Sequence, residues 1–324
     1  MNRLTVSVVI CAYTEDRWDE LVCALEGVRS QTVGVAEIIL VIDHNEALLQ
    51  RVAASFLDVL VMANGEQRGL SGARNTGIAA ASGDIVVFMD EDAVPARDWL
   101  ERLIVHFASE DVVGVGGAIR PYWLQTRPGW FPSEFDWVVG CTYTGMPLVP
   151  SEVRNLIGCN MAFRRWVFDS AGIFRDGIGR VGTLPVGCEE TELCIRVRQR
   201  LPGARMLYDP NAVVDHRVPP TRARFSYFVN RCYSEGLSKA LITRYIGRQD
   251  ALASERTYTV RTLPLGVLGG LRDGLRRDLY GIMRAGAIVI GFACTVAGYV
   301  VGTAAFTLKG NTRQVASQEV AARS

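Results

Sequence analysis

The sequence predicts an α/β fold with a mostly parallel sheet covered by helices on both faces. Three observations carry that expectation. Short apolar runs rich in β-branched residues recur between residues 5 and 119. Segments with helical periodicity separate them, giving a β-α-β-α rhythm. The runs are apolar throughout rather than alternating, as strands buried on both faces must be.

The elements follow in order. Residues 5–11 form the first buried strand. Glu15, Asp16 and Arg17 follow it at once, so the start is a strand rather than a secretory signal. Trp18, Leu21, Val22, Leu25 and Val28 are spaced as one apolar helix face. Residues 37–42 and 57–62 give the second and third strands, and the small, Ala-rich stretch 72–81 a helix packed closely on the sheet. Residues 85–89 are a fourth strand. Residues 98–107 carry Trp99, Leu100, Leu103, Ile104 and Phe107 at helical period, and 112–119 are a fifth strand.

Beyond residue 120 the character changes. Residues 121–155 hold Trp123, Trp130, Phe131, Phe135, Trp137 and Tyr143 among prolines and glycines. This is a loop-rich aromatic lobe, suited either to binding or to irregular core packing. Residues 206–214 predict another strand and 221–246 an amphipathic, Arg-rich helix. There is no internal repeat and no low-complexity segment.

Residues 285–308 are 24 positions without a charge, long enough to span a bilayer as a helix. Gly298 and Gly302 supply a small-xxx-small spacing. Arg272, Arg276, Arg277 and Arg284 precede the stretch, and Lys309 and Arg313 follow. That basic excess on the N-terminal side predicts a cytoplasmic N-terminal domain. A Gly/Ala-rich helix buried against the rest of the chain is the alternative. Residues 264–271 are apolar but too short to span, and suit an interface beside the arginines. The expected division is a domain over 1–245, with halves 1–120 and 121–245, then a helical, membrane-associated region over 246–324.

Composition excludes some classes. The 324 residues are 49% hydrophobic and 21% charged, which excludes disorder. A net charge of +1 gives no sign of a nucleic-acid partner. The eight cysteines form no CxxC pair and there are only three histidines, so a zinc site is not expected. The cysteines suit small buried hydrophobes in a reducing compartment.

In open α/β sheets ligands bind beyond the carboxyl ends of the strands. Residues 11–16, Asp43, residues 65–69 and residues 90–92 all lie just past a strand end and so converge on one edge. Asp90, Glu91 and Asp92 follow a buried run directly. If the extended form persists, Asp90 and Asp92 point together and Glu91 away. Paired oxygen donors there suit Mg²⁺ or Mn²⁺, which would offset their repulsion; a solvated acidic turn is the alternative. Arg68 and Arg74 can offset phosphate charge, while Gly69, Gly72 and Gly77 permit close approach. Glu189, Glu190 and Glu192, followed by Arg196 and Arg198, fit the start of a helix. His216 follows the late strand, and is either a structural histidine or a ligand.

These segments together resemble the inverting glycosyltransferases of family 2, which have a GT-A fold. The resemblance extends through most of residues 5–245. VSVVICAYTEDRWDELVCALEGVRSQT resembles the family's opening strand, loop and helix, and implicates Thr14 and Glu15 in donor binding. Asp43 matches the acid that contacts the nucleotide. GLSGARNTGIAAASGDIVVFMDEDAVP is the most specific part, joining GARNxG to a DxD motif. By that likeness Arg74 helps hold the nucleotide-sugar, Asp90 contacts the nucleotide or sugar side, and Asp92 ligates the metal. His216 would complete the metal site or meet the diphosphate; Arg217, Arg222 and Arg224 beside it suit a phosphate-facing lip, and residues 222–239 suit anionic lipid equally well. Asn160, in GCNMAFR, would bond the donor sugar or acceptor. Glu190 stands where the family has its general base, with Glu189 the runner-up, and Cys188 replaces the usual glycine.

The resemblance implies transfer of a sugar from a nucleotide-diphosphate-sugar donor to a hydroxyl, with inversion and a divalent cation, Mg²⁺ or Mn²⁺. The QxxRW-type motif of processive synthases is absent, which points to single transfers. The membrane segment points to a lipid-linked or cell-envelope glycan as acceptor, at the cytoplasmic face of the inner membrane or peripheral to it. The Arg/Ala/Gly-rich style suggests a bacterial source, and a homo-oligomer is compatible with the sequence. Two other classes remain open: a metal-dependent phosphoester hydrolase, and a non-catalytic glycan-binding protein using Trp123, Trp130 and Trp137.

Overall fold

Buried β-formers set the sheet. The computed structural model describes residues 4–175, 187–246 and 257–321. The chain divides into two compact units, the first Met1–Arg127, Ser133–Leu184 and Glu189–Arg222, the second Pro128–Pro132, Pro185–Cys188 and Ala223–Ser324. The domain boundary expected at 245–246 adjoins residues 247–256, which lie outside the described residues.

The first unit is built on a nine-stranded sheet. Its strands are β1 (Val6–Ala12), β2 (Glu37–Ile42), β3 (Leu60–Ala63), β4 (Ile85–Asp90), β5 (Ala93–Pro95), β6 (Val112–Trp123), β7 (Ser151–Glu152), β8 (Asn160–Arg164) and β9 (Arg205–Val218). Their order is β3-β2-β1-β4-β8-β6-β9-β5, with β7 on β9. Parallel ladders carry most of the paired residues: β1 with β2 and β4, β2 with β3, and β6 with β9. Antiparallel pairing enters through the short strands β5, β7 and β8. The expected mostly parallel α/β sheet is therefore present, and every residue of β1 is buried.

Register places the site. Cys11 lies opposite Val41 and Asp90, and Ile42 opposite Ala12 and Ala63. The carboxyl ends of β1 to β4 therefore finish side by side, and the loops after them share one edge.

The helices of this unit are α1 (Trp18–Arg29), α2 (Glu46–Ser55), α3 (Leu70–Ala80), α4 (Trp99–Ile104), α5 (Trp166–Ala171) and α6 (Glu189–Arg200). Phe88 of β4 sits in a core cluster with Phe163, Phe168 and Phe174, edge-on to the last two at 6.1 and 5.6 Å. Burying one such side chain stabilises by about 1.5–3 kcal/mol. Helix α3 lies so close to β1 that a Cβ on Gly77 would be 2.4 Å from Val9 Cγ1.

Some elements depart from expectation. The sequence showed no helix at α2, because only Leu48 and Val52 are buried along it. Its start is fixed by Asn45, whose side chain accepts from Leu48 N at 3.0 Å. Strand β3 begins at Leu60 rather than residue 57, and Leu57 is exposed. Strands β5, β7 and β8 were not anticipated; each has five residues or fewer, too short for a periodic signal. The aromatic lobe has little regular structure beyond a 3₁₀ turn at Ser133–Val139. Within it Arg127 meets Asp136 at 2.7 Å, and burial pushes the Asp136 carboxyl up to about 6 against that guanidinium.

The second unit is helical: α7 (Phe225–Ile246), α8 (Leu263–Leu275) and α9 (Leu279–Ala321). Trp130 and Phe131 pack there on Phe228, with ring centroids 5.6 and 5.5 Å apart. Among the described residues, Leu279–Ala305 is the one stretch long and apolar enough to cross a membrane.

Gly72 offers a test of the edge. A Cβ there would lie 2.0 Å from the carbonyl oxygen of Gln67, which is backbone and cannot rotate away. Gly72→Ala should destabilise the protein by about 2 kcal/mol through overpacking, read as a lowered urea midpoint at unchanged m-value. An unchanged midpoint would show that the 65–69 loop yields freely.

Candidate functional site

Asp43 leaves β2 and ties the neighbouring loop to the edge. Its Oδ1 accepts from Asn64 Nδ2 at 2.7 Å and its Oδ2 from Gly69 N at 3.0 Å. The carboxylate thus holds both ends of the 64–69 turn, at the N-terminus of α3. Thr14 caps the turn Glu15–Arg17, accepting from Asp16 N at 3.2 Å. Glu15 is exposed and faces Arg51 of α2 at 3.7 Å. Arg68 is exposed on the loop.

Arg74 is almost wholly buried, at 2% exposure. Its Nη1 donates to Glu189 Oε1 at 2.8 Å, and its Nη2 to Gly158 O at 3.1 Å and Asp90 Oδ1 at 3.4 Å. One guanidinium therefore joins the end of β4 to the start of α6. Burial works against its charge, but Glu189 and Asp90 overcome that and hold its pKa above the ordinary value.

The acidic turn differs from the simple alternation expected. Extended backbone ends at Asp90, and a turn carries Glu91 and Asp92 before β5 begins. Glu91 does not point away from Asp92. Both meet Arg17 Nη1, at 2.7 and 3.1 Å. Burial, with Asp92 beside it, pushes the Glu91 carboxyl up to about 7. Burial would raise Asp92 too, but His216 and Arg17 hold it well below the usual carboxylate range.

His216 is delivered by β9, paired with Ala93 on one side and Pro121 on the other. Its Nε2 lies 3.3 Å from Asp92 Oδ1, and Arg217 N donates to Asp92 O at 2.9 Å. Backbone pairing thus fixes the two side chains relative to each other. Ligating atoms of Asp90, Cys159 and His216 all lie within 4.8 Å of one another. Burial raises the Cys159 thiol well above its ordinary value, so it stays neutral. Within that cluster Asp90 and His216 offer donors that fit a hard divalent cation, and Asp92 lies alongside, 3.3 Å from His216.

Other expected residues are engaged elsewhere. Arg217 points its guanidinium at α1, 3.5 Å from Glu20 Oε1 and 3.4 Å from Cys23 Sγ. Asn160 is fully buried. Its Oδ1 accepts from Trp99 Nε1 at 2.8 Å, and its Nδ2 donates to Ala118 O and Ala212 O at 3.0 and 2.9 Å. Those carbonyls flank the register shift between β6 and β9, so the amide pins a bulge. Glu190 is half-buried in the first turn of α6, directly after Glu189.

Cys188 has φ 78°, the left-handed conformation that favours glycine. The backbone before α6 keeps the shape that glycine would allow, although the residue is not glycine.

Sequence reasoning missed the roles of Arg17, Asn64 and Cys159. Arg17 stands in EDRWDE, among acids that suggest only a solvated helix start. Nothing local marks it as the counter-charge for residues 74 and 75 positions further along the chain.

The Arg74–Glu189 pair is open to a double-mutant cycle. Removing one partner leaves the other charge buried, at about 3 kcal/mol or more. Arg74→Met alone should lose that much in urea denaturation, and adding Glu189→Gln should recover over ~1 kcal/mol of it. Strict additivity would show the pair is not coupled.

Comparison with known proteins agrees with this architecture. A profile of the family "Glycosyl transferase family 2" matches residues 7–172. A glucosyl-dolichyl phosphate glucuronosyltransferase of Haloferax volcanii is 36% identical over 243 residues, 74% of this chain and 77% of that protein. That relative is archaeal, so composition does not fix a bacterial source. The mannosyltransferase PcManGT from Pyrobaculum calidifontis, solved with GDP-Man and Mn²⁺, superposes with a TM-score of 0.58 at 19% identity, over 93% of this chain and 88% of that one. GalNAc-T7, solved with UDP, GalNAc and Mn²⁺, gives 0.55 at 18% identity, over 79% and 58%. The fold is GT-A-like, and with half of its length matched by the family profile this chain belongs to glycosyl transferase family 2 and is a glycosyltransferase.

Proposed function

We propose that the protein transfers a single sugar, with inversion, from a nucleotide-diphosphate-sugar to the hydroxyl of a lipid-linked or envelope glycan. The observation that carries this reading is the meeting of separate acidic segments on one sheet edge. Asp90 and Glu189 share Arg74, and Asp92 touches His216. The two solved relatives hold a nucleotide or nucleotide-sugar with Mn²⁺. The archaeal relative's name places its acceptor on dolichyl phosphate, which supports a lipid-linked acceptor here.

Each residue has a role in this reading. Asp92 and His216 would hold Mg²⁺ or Mn²⁺, with Asp90 beside them, and that cation supplies charge to offset the diphosphate. Asp43 presents a carboxylate for the nucleotide at the mouth of the 64–69 turn, next to Thr14 and Glu15. Arg68 reaches the phosphates from the exposed loop, and Arg217 stands at the rim behind α1. Arg74 orients Asp90 toward the donor, and Asn160 holds the β6–β9 bulge that carries His216 to its place.

Glu190 accepts the proton of the attacking hydroxyl. Glu189 is buried beneath Arg74 while Glu190 is half-buried, so exposure favours Glu190 as the acid that meets an acceptor. The oxygen attacks the anomeric carbon as the bond to the nucleoside diphosphate breaks, and one displacement inverts that centre. In this reading the enzyme works at the cytoplasmic face of a membrane, where a lipid-linked acceptor is at hand; the apolar stretch Leu279–Ala305 supports it.

Two outcomes test the reading, on a panel of UDP-, GDP- and dTDP-sugars with a lipid-phosphate sugar acceptor. Glu190→Gln should lower kcat for transfer by about 10²–10⁴-fold while nucleotide affinity stays within about threefold. Retained transfer would remove Glu190 from the mechanism, and phosphate release without transfer would favour a hydrolase. Asp92→Asn, or chelation of the wild type, should abolish the metal-dependent part of nucleotide binding. Added Mn²⁺ or Mg²⁺ should restore it in the chelated wild type only.

A further inference from the structure

We propose that the helical hairpin of α8 and α9 is a one-sided docking surface for an anionic lipid bilayer, with α9 lying along the interface rather than crossing it. The inference stands on the second unit alone and does not depend on the reaction assigned to the first.

The glycines of α9 decide which side is free. A Cβ on Gly298 would lie 2.0 Å from Tyr233 O, and one on Gly302 2.8 Å from Ala240 Cβ. On the facing helix a Cβ at Gly236 would lie 2.1 Å from Thr295 O. The small-residue stripe that suggested helix pairing within a membrane is therefore used to seat α7. The opposite side of α9 exposes Val289, Val296 and Val300, with Ile290 and Val301 exposed on its flank. These positions recur at helical spacing, and Arg284 is the only charged residue between 279 and 305. The stretch is 27 residues long, about 40 Å at 1.5 Å per residue.

Crossing the bilayer would carry α7 with it. Within two turns of Gly236, α7 bears Arg231, Glu235 and Lys239, linked at 3.2 and 3.6 Å. Those charges would enter the hydrocarbon together with Gly298, which is unfavourable even for a pair. Lying in the interface keeps α7 on the protein side and puts only the apolar side of α9 into lipid.

Charge identifies the lipid. Five arginines and two aspartates lie between residues 261 and 284. Arg284 holds both aspartates, Asp273 at 3.0 Å and Asp278 at 2.8 Å. Arg261, Arg272, Arg276 and Arg277 are exposed. They flank the exposed Leu265, Leu268 and Leu275 of α8. Leucines for the acyl boundary beside arginines for phosphate headgroups match an anionic surface. The same 261–284 stretch of a second copy would offer these arginines little, because Asp273 and Asp278 already pair with Arg284.

The full chain, with an epitope tag after its last residue, is incubated with preformed vesicles of phosphatidylcholine alone or with 30 mol% phosphatidylglycerol. Binding should favour the anionic vesicles and weaken with salt. Arg276→Gln with Arg277→Gln should lower that partition roughly 30-fold at low salt. Val289→Glu with Val296→Glu should abolish it while circular dichroism and thermal unfolding stay unchanged. When the bound vesicles are treated with protease, the tag and the first unit should be cleaved together. A tag protected inside the lumen would show that α9 spans and overturn the proposal. So would a chain that ignores vesicles, whether monomeric or dimerising through this face.

Discussion

Arg74 sits at 2% exposure between two carboxylates that the chain separates by 99 positions, Asp90 at the end of β4 and Glu189 at the start of α6. A buried guanidinium must be paired, and a buried carboxylate must be too. That requirement fixes the approach of α6 to the sheet edge and brings the second acidic cluster beside the first. Gly158 O takes a further proton of the same group, so the turn before β8 is held as well. The contact does no chemistry, yet the candidate base, the acidic turn and the donor edge are all registered against it.

A second constraint works through backbone rather than charge. Parallel pairing of β6 with β9 and antiparallel pairing of β5 with β9 deliver His216 to Asp92. Asn160, buried and fully bonded, pins the bulge in that ladder.

The parallel core and its edge were legible in the sequence because strands buried on both faces are apolar without interruption, as in residues 38–42 and 85–89. The acidic turn was legible as composition but not as geometry. Whether Glu91 faces away depends on where extended backbone stops, and no local signal marks that point. Helix α2 was hidden by its sparse apolar face, and β8 by its length. Arg17 was hidden for a different reason: its partners lie far along the chain, and a lone arginine at a helix start has no signature of its own. Glycines 298 and 302 carried a real packing signal, but the sequence could not say that the partner was α7 of the same chain.

The proposed reaction requires a cation and a diphosphate to meet at the Asp92–His216 corner with Glu190 on the acceptor side of them. Anomalous diffraction from crystals grown with Mn²⁺ and a nucleoside diphosphate tests this directly. The expected result is one manganese peak bonded to Asp92 and His216, the diphosphate beside it, and the Glu190 carboxylate facing the open side of the donor. A manganese peak away from both residues, or a diphosphate bound at a different strand edge, would contradict it.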